Sequence, residues 1–184
     1  EKAIVVGHSM GSQTALRLAL DHPGRVLGVI LLDGFSTLGG NPVIEELWGT
    51  VSTLSDPVPP DFVEEFQRST VARPVPDEFM ALIVRESLKL PARVWKAVCR
   101  GQMDTDLLPE LGWVSAPTLL LWGDRDAIIP RSMQDALVAA IPKARLTVLP
   151  GTGHTPHWEE PQRVAREIAD FAHAVTRRGR LAAA

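Results

Sequence analysis

The chain has a single cysteine, Cys99, among its 184 residues. One thiol cannot form a disulfide within the chain, and this scarcity is typical of a reducing compartment, so we expect the protein to be cytoplasmic. Cys99 follows Val94, Trp95 and Val98 at helical spacing. We therefore interpret it as a small core residue rather than as a nucleophile.

Other features that would indicate particular partners are also missing. No apolar run approaches the roughly 18 residues of a membrane span, so we predict no membrane partner. The 19 basic and 22 acidic residues give a net charge of −3 and are spread along the sequence, so we predict no nucleic-acid partner. Neither a zinc-type spacing of Cys and His nor a G-x-x-x-x-G-K-S/T loop occurs, so we predict no metal and no cofactor.

What the sequence does contain is a glycine-bounded serine between a strand pattern and a helix pattern. The apolar residues 3–6 precede the pentapeptide G-H-S-M-G at 7–11, and the alanine- and leucine-rich residues 12–20 follow it. A sharp turn with positive φ at Ser9 would lift its hydroxyl clear of the sheet, and a side chain two positions away on either side would collide with the turn. Met10 would begin the helix, so its N–H would face an oxyanion above Ser9.

Two later segments end in residues that complement a serine nucleophile. An apolar run at 116–122 predicts a buried parallel strand, and Asp124 and Asp126 lie on the loop after it. A second run at 144–149 leads into a loop with two glycines that carries His154. Serine, aspartate and histidine follow one another in the order of nucleophile, acid and base in one class of hydrolase. We therefore interpret His154 as the general base.

Three motifs together resemble the α/β-hydrolase family. They are residues 7–11, the sequence W-G-D-R-D at 122–126 and the sequence G-T-G-H at 151–154, and the resemblance covers nearly the whole chain. The resemblance implies an α/β fold that corresponds to the C-terminal portion of an α/β-hydrolase. It implies a mostly parallel sheet of about four strands, flanked by helices, with an inserted helical cap.

The same resemblance implies that Ser9 is the nucleophile, Asp126 the acid and His154 the base. Two other carboxylates are alternatives for the acid. Asp124 lies two residues earlier on the same loop, and Asp33 ends an earlier apolar run at a position that some family members use. Only one carboxylate can orient the imidazole from behind, and we favour Asp126.

The resemblance and the hydrophobic pattern divide the chain into four segments. Residues 1–34 are predicted to hold the serine turn, the first helix and the next strand, and residues 115–176 the rest of the core. Residues 35–114 have apolar residues at helical spacing, punctuated by proline clusters, which predicts a helical cap that covers Ser9. The arginine-rich residues 177–184 are predicted to be a solvated tail.

The resemblance also implies that part of the family's fold precedes this chain. In the family the strand that carries the nucleophile is the fifth of eight, whereas here it lies within the first few residues. We expect a missing N-terminal segment, including a loop that supplies a second oxyanion N–H, and therefore little activity for this chain alone. We also expect an exposed edge on this strand, where the missing segment or a second copy of the chain would pair.

The motifs predict acyl transfer to water. His154 would take the proton of Ser9 as its oxygen attacks a carbonyl, and water would then hydrolyse the acyl-enzyme. We predict a serine hydrolase whose small-molecule substrate is a carboxylic ester or lactone. The alternatives are a carbon–carbon bond hydrolase or cofactor-free perhydrolase that uses the same three residues, and a binding module without catalysis. His8, inside the turn, is interpreted as structural.

Overall fold

The structure is a computed structural model that describes residues 1–181 of the chain. Over these residues the strands are β1 (Ala3–His8), β2 (Val26–Leu32), β3 (Thr118–Gly123) and β4 (Ala144–Leu149). The helices are α1 (Met10–Asp21), α2 (Pro42–Val51), α3 (Pro60–Ser69), α4 (Asp77–Ser87), α5 (Ala92–Asp104), α6 (Arg131–Ala140), α7 (Pro156–Glu159) and α8 (Pro161–Leu181).

The strands form a parallel sheet in the order β1-β2-β3-β4. β2 and β3 are nearly continuous apolar runs because residues on both of their faces are buried. The carboxyl ends of parallel strands meet at one edge of the sheet, so the loops that follow them come together there. The structure confirms the predicted α/β fold, with a four-stranded parallel sheet flanked by helices.

Helices cover both faces of the sheet. Successive residues of a strand face opposite sides, so Leu31 and Ile30 of β2 belong to different layers of the core. Leu31 packs in a buried cluster with Leu16 of α1 and Leu137 of α6. Ile30 packs on the other side in a cluster with Phe171 of α8. Burial of each such side chain stabilises the fold by about 1.5 to 3 kcal/mol.

Helices α2 to α5 lie within residues 35–114, the segment predicted to be a helical cap. Apolar residues of α2, α3 and α5 form a buried cluster with Phe35 and Ile129, and Cys99 is buried in it. From α4, the partly buried Val84 packs against this cluster. Pro42 and Pro60 each begin a helix, where the missing proline N–H costs no hydrogen bond. The segment is helical, and its role as a cap stays a prediction.

The last helix, α8, extends into the segment predicted to be a solvated tail. It continues to Leu181, so residues 177–181 are helical, and residues 182–184 of the predicted tail lie outside the described residues. That residues 177–184 form a solvated tail stays a prediction. The arginines of this segment have high helix propensity, which allows the helix to continue beyond the buried Val175. No helix in the described part of the chain is both long and apolar enough to cross a membrane.

The strand before Ser9 lies at one side of the sheet. Within residues 1–181, β1 pairs with β2 alone, and Val6 on β1 exposes 45% of its surface. An exposed strand edge offers unpaired N–H and C=O groups to a further strand. That a further segment or a second copy of the chain pairs with this edge remains a prediction.

Candidate active site

Ser9 occupies the turn between β1 and α1 in a backbone conformation that few residues adopt. Its φ of 50° and ψ of −121° are strained for a non-glycine residue, at a cost of about 1 to 3 kcal/mol. The Ser9 N–H donates to the Leu32 carbonyl at 3.0 Å. The Ser12 hydroxyl donates to the Ser9 carbonyl at 2.5 Å and accepts the Phe35 N–H at 3.0 Å. The end of β2 and the loop after it therefore stabilise the strained turn.

The two glycines of this turn are present for different reasons. A Cβ at Gly7 would lie 2.2 Å from the Gly11 carbonyl oxygen, so no side chain fits there. A Cβ at Gly11 would meet no atom within 4 Å outside the backbone of its own helix. The prediction of a collision on both sides was therefore wrong for Gly11, because the Cβ direction on the first turn of α1 leads away from β1.

The structure brings Ser9, Asp126 and His154 together beyond the carboxyl ends of the strands. The Ser9 Oγ lies 2.9 Å from the His154 Nε2, and the His154 Nδ1 lies 2.8 Å from the Asp126 Oδ2. The Asp126 side chain is fully buried, and the His154 side chain is 5% exposed. These contacts suit an imidazole that donates its Nδ1–H to the carboxylate and accepts the serine hydroxyl at Nε2.

Of the three carboxylates considered as the acid, Asp126 is the one bonded to the His154 ring. Its second oxygen, Oδ1, accepts the N–H groups of Ile128 at 2.8 Å and Ile129 at 2.9 Å. Both oxygens therefore have donors, and the carboxylate plane is held in one orientation. Burial in this fully hydrogen-bonded state suits a group that must orient an imidazole.

The two alternative acids have other partners. Asp124 is exposed and accepts the Gly151 N–H at 2.6 Å, which ties the loop after β3 to the loop after β4. Asp33 is fully buried and accepts the Gly123 N–H at 2.9 Å. Neither carboxylate forms a hydrogen bond with His154 in the described structure, so geometry favours Asp126 over both.

Met10 is the first residue of α1, so its N–H has no acceptor within the helix. Met10 and Ser9 line the same cavity. The N-terminus of a helix carries a partial positive charge that stabilises an anion beside it. This position suits the role of oxyanion donor that the sequence predicted for Met10.

The loop that carries His154 is held from several directions. The His154 N–H donates to the Thr70 carbonyl at 2.9 Å, and the His154 carbonyl accepts from the His8 Nε2 at 2.7 Å. Glu159 accepts the Gly153 N–H at 3.0 Å. Thr70 follows α3, so the segment predicted to be the cap contributes directly to the position of the histidine.

Glu159 joins the His154 loop to the segment after α3. Its Oε2 accepts the Ala72 N–H at 3.1 Å and the Arg73 N–H at 2.8 Å. Arg73 forms an ion pair with Glu160 at 2.5 Å and donates to the Gly151 carbonyl at 2.9 Å. The sequence analysis gave Glu159 and Arg73 no positioning role, because their partners lie up to 87 residues away and no spacing reveals such a contact.

Two further histidines adjoin His154 and stay neutral near pH 7. Burial, assisted by the neighbouring His154 ring, lowers the pKa of His8 to about 3 and the pKa of His157 to about 4. The ring centres of His8 and His157 are 4.5 Å apart. A neutral His8 can donate its Nε2–H to the His154 carbonyl, which agrees with the structural interpretation of this residue.

A cavity of about 520 Å³ opens beside Ser9 and His154. Most of its lining is apolar. The apolar residues come from the loop after β2, from α2, α3 and α5, from the segment between α4 and α5, and from the loop before α6: Phe35, Leu38, Val43, Ile44, Leu47, Val51, Phe66, Leu90, Val94, Trp95, Val98 and Ile128. Ser69 and Gln102 add polar groups. Among the described residues that line the cavity there is no lysine, arginine, aspartate or glutamate.

This arrangement defines a class of protein. The α/β-type hydrolases have this architecture. They carry a serine on the turn after one strand of a parallel sheet, and an aspartate and a histidine on loops after later strands. A model of the alpha/beta hydrolase family matches residues 1–167. The chain belongs to this family, as the resemblance of its motifs implied.

Curated relatives include two kinds of hydrolase. A pimeloyl-[acyl-carrier protein] methyl ester esterase from Yersinia enterocolitica is 31% identical over 94% of this chain and 70% of its own length. A 2-hydroxy-6-oxononadienedioate/2-hydroxy-6-oxononatrienedioate hydrolase from Dechloromonas aromatica is 27% identical over 93% of this chain and 62% of its own length. The chain therefore spans about two thirds of the length of these relatives.

Solved structures show the same fold. A thermophilic esterase from Thermogutta terrifontis matches with a TM-score of 0.78 and 27% identity, covering 95% of this chain and 65% of that one. An esterase from Exiguobacterium antarcticum matches with a TM-score of 0.80 and 19% identity, covering 90% of this chain and 65% of that one. At the lower identity the likeness shows the fold alone.

Proposed function

We propose that this chain carries the catalytic site of a serine hydrolase that cleaves an uncharged carboxylic ester or lactone. The observation that carries the proposal is the continuous hydrogen-bonded series from the Ser9 Oγ through both ring nitrogens of His154 to Asp126. A hydroxyl bonded in this way loses its proton to the imidazole as it attacks a carbonyl. The activity is proposed for the whole protein that contains these residues.

In the proposed reaction the Ser9 Oγ bonds to the ester carbonyl carbon while the His154 Nε2 takes the hydroxyl proton. Asp126 stabilises the resulting imidazolium by accepting a hydrogen bond from the His154 Nδ1–H. The negative charge that develops on the carbonyl oxygen is stabilised by the Met10 N–H at the start of α1. The imidazolium then protonates the leaving alkoxide, the C–O bond breaks, and an acyl-enzyme remains. Water then attacks the acyl carbon while the His154 Nε2 takes its proton. The bond between the acyl carbon and the Ser9 Oγ breaks as the imidazolium returns the proton to Oγ, which frees the acid and restores the Ser9 hydroxyl.

The apolar cavity supports an uncharged substrate. A carboxylate buried among these residues would lose its hydration without gaining a cation, at a cost of several kcal/mol. The relative from Dechloromonas aromatica is named for a dioate. The lining described here offers no basic side chain to bind such a carboxylate. Ester hydrolysis therefore fits the cavity better than cleavage of a dioate.

Carbon–carbon bond hydrolysis is the second candidate. Relatives named as hydrolases of this kind are 27% and 32% identical and match over 93% of this chain. The same serine, histidine and aspartate would serve that reaction. The cofactor-free perhydrolase and the binding module without catalysis remain predictions with no further observation to favour them.

A fluorophosphonate probe tests whether Ser9 is a nucleophile, since it phosphonylates an activated serine. We expect labelling of the whole protein that contains these residues, loss of labelling in Ser9→Ala, and full labelling in the control Ser115→Ala, an exposed serine outside the site. A protein that folds but takes no Ser9-dependent label would exclude the proposed function.

The substrate class is tested by comparing two esters of equal chain length. We expect a neutral aryl butyrate to be hydrolysed with a kcat/KM about 100-fold above that of an aryl hemisuccinate, because the second carboxylate would be buried without a cation. Equal values would mean that the apolar cavity does not hold the acyl group. Preferential cleavage of a vinylogous diketone would favour carbon–carbon chemistry instead.

A further inference from the structure

Asp33 has no part in the proposed reaction, yet it lies next to the acid. It is fully buried at the end of β2, and its φ is 43°. Its Oδ1 accepts the Gly123 N–H at 2.9 Å, while its Oδ2 is buried with no hydrogen-bond partner among residues 1–181. One oxygen of Asp33 lies within 4.8 Å of an oxygen of Asp126 and a ring nitrogen of His154.

Two carboxylates this close in a buried site cannot both be ionised at low cost, because like charges repel strongly where water is excluded. Hydrogen bonds indicate which one carries the charge. Asp126 accepts three donors, namely the N–H groups of Ile128 and Ile129 and the His154 Nδ1–H. Asp33 accepts one donor. Donors favour the ionised form, so the charge belongs on Asp126.

The other ionisable groups near Asp33 do not compensate a charge there. Asp126 and His154 face it, and Glu159 adds a more distant negative charge. His154 is the one group among these that can become cationic, and its Nδ1 is bonded to Asp126. Burial raises the pKa of Asp33 well above its usual range, and the charge of Asp126 raises it further.

We propose that Asp33 is a neutral carboxylic acid that keeps a second negative charge out of the site behind His154. The neutral state is a property of the fold and does not require catalysis. Its relevance to the reaction rests on the proposed function. Asp33 does not line the cavity beside Ser9 and would act on the reaction only through the charge near Asp126.

The first test is the pH dependence of stability in Asp33→Asn. Asparagine has the same shape, tolerates positive φ and cannot ionise. An aspartate that is neutral in the folded protein and ionised in the unfolded chain lowers the free energy of unfolding, and it does so increasingly as pH rises above about 4. We therefore expect the Tm of the variant to match that of the parent near pH 4 and to exceed it by about 5 °C at pH 8. The control, Asp170→Asn at an exposed site on α8, should show no such trend.

The second test is the pH profile of Ser9 labelling by the fluorophosphonate. We expect Asp33→Asn to keep the labelling rate within about threefold, because asparagine has the same shape as a neutral aspartic acid and likewise carries no charge. The midpoint on the acid side of the profile should not move, because removing a neutral group leaves the charge near His154 unchanged. The rate of Ser9 labelling should fall about 10⁴-fold in Asp126→Asn, because the imidazole then loses its charged partner.

Three results would overturn the inference. The first is a Tm difference that is constant or falls as pH rises, which would show that Asp33 ionises in the folded protein. The second is an acid-side midpoint that moves down by about one pH unit in Asp33→Asn, which would show that a charge had been removed. The third is a loss of labelling as large as that of Asp126→Asn. If the parent itself takes no label, the proposed function fails, but the Tm measurement still decides the charge of Asp33.

Discussion

The turn that carries Ser9 and the loop that carries His154 are held in different ways. The Ser9 turn is built mainly from neighbouring residues, since Gly7 allows β1 and the first turn of α1 to approach closely. The His154 loop depends on contacts with the distant Thr70 and on Glu159, which bridges the two segments. A serine held by local geometry and a histidine held by long-range contacts should respond differently to mutation.

The long-range contacts of the His154 loop connect the predicted cap to the general base, His154. The segment after α3 bonds both to the backbone of His154 and to the Glu159 carboxylate. Movement of that segment would therefore displace His154 more than it displaces Ser9. The distance between Ser9 and His154 thus depends on how the helical segment 35–114 packs on the sheet.

The largest expected effect comes from a substitution in the Ser9 turn itself. Gly7→Ala places a Cβ 2.2 Å from the Gly11 carbonyl oxygen, so β1 and α1 must separate. We expect a loss of about 3 kcal/mol in the free energy of unfolding, measured by urea denaturation. Gly11→Ala is the matched control and should change it by less than about 1 kcal/mol. Equal losses of stability in the two variants would show that a Cβ at position 7 is tolerated as well as one at position 11.

An intermediate effect is expected in the His154 loop. Glu159→Ala leaves the N–H groups of Ala72, Arg73 and Gly153 without their acceptor. We expect a loss of about 2 kcal/mol in stability, together with a fall in the rate of Ser9 labelling as His154 loses its support.

Glu64→Ala is the control for this variant. Glu64 is exposed and pairs with Arg68 on α3 at 2.8 Å, so its removal should cost less than about 0.5 kcal/mol. If Glu159→Ala lowers neither the stability nor the labelling rate below those of this control, the contacts of Glu159 neither stabilise the fold nor position His154.

The smallest expected effect is a pH dependence at His8. Its pKa of about 3 in the folded protein lies below the usual 6.5, so unfolding takes up a proton and stability falls as pH drops from 6.5 toward 3. Glutamine cannot ionise. Between pH 7.5 and pH 5.5 we therefore expect the free energy of unfolding to fall by about 1 kcal/mol less in His8→Gln than in the parent. Thermal unfolding at the two values measures this, with the exposed His22→Gln as control. An identical pH dependence in parent and His8→Gln would exclude His8 as a buried neutral group.

Several parts of the site could be predicted from short stretches of sequence. The G-H-S-M-G motif between a strand and a helix predicted the turn at Ser9, because the spacing of glycines and apolar residues reflects backbone sterics within that stretch. The apolar runs before Asp126 and His154 predicted parallel strands, whose ends lie together at one edge. The collision expected at Gly11 was wrong, because the direction of a Cβ depends on the exact path of the chain.

The choice among Asp126, Asp124 and Asp33 needed the tertiary structure. All three follow buried strands at the same edge of the sheet, so sequence position alone cannot separate them. The folded chain supplies the difference through hydrogen-bond donors, three for Asp126 and one for Asp33. Contacts of this kind join residues from different loops.

The sequence by itself determined the elements of this protein, since periodicity and glycine placement act over a few residues at a time. It thereby determined the parallel sheet, the family and the order in which serine, aspartate and histidine reach its edge. The tertiary structure alone decided which carboxylate meets the imidazole, how Thr70 and Glu159 hold the base, and how apolar the neighbouring cavity is. These properties depend on distances between residues that are far apart in the chain, and such distances exist only once the helices have packed on the sheet.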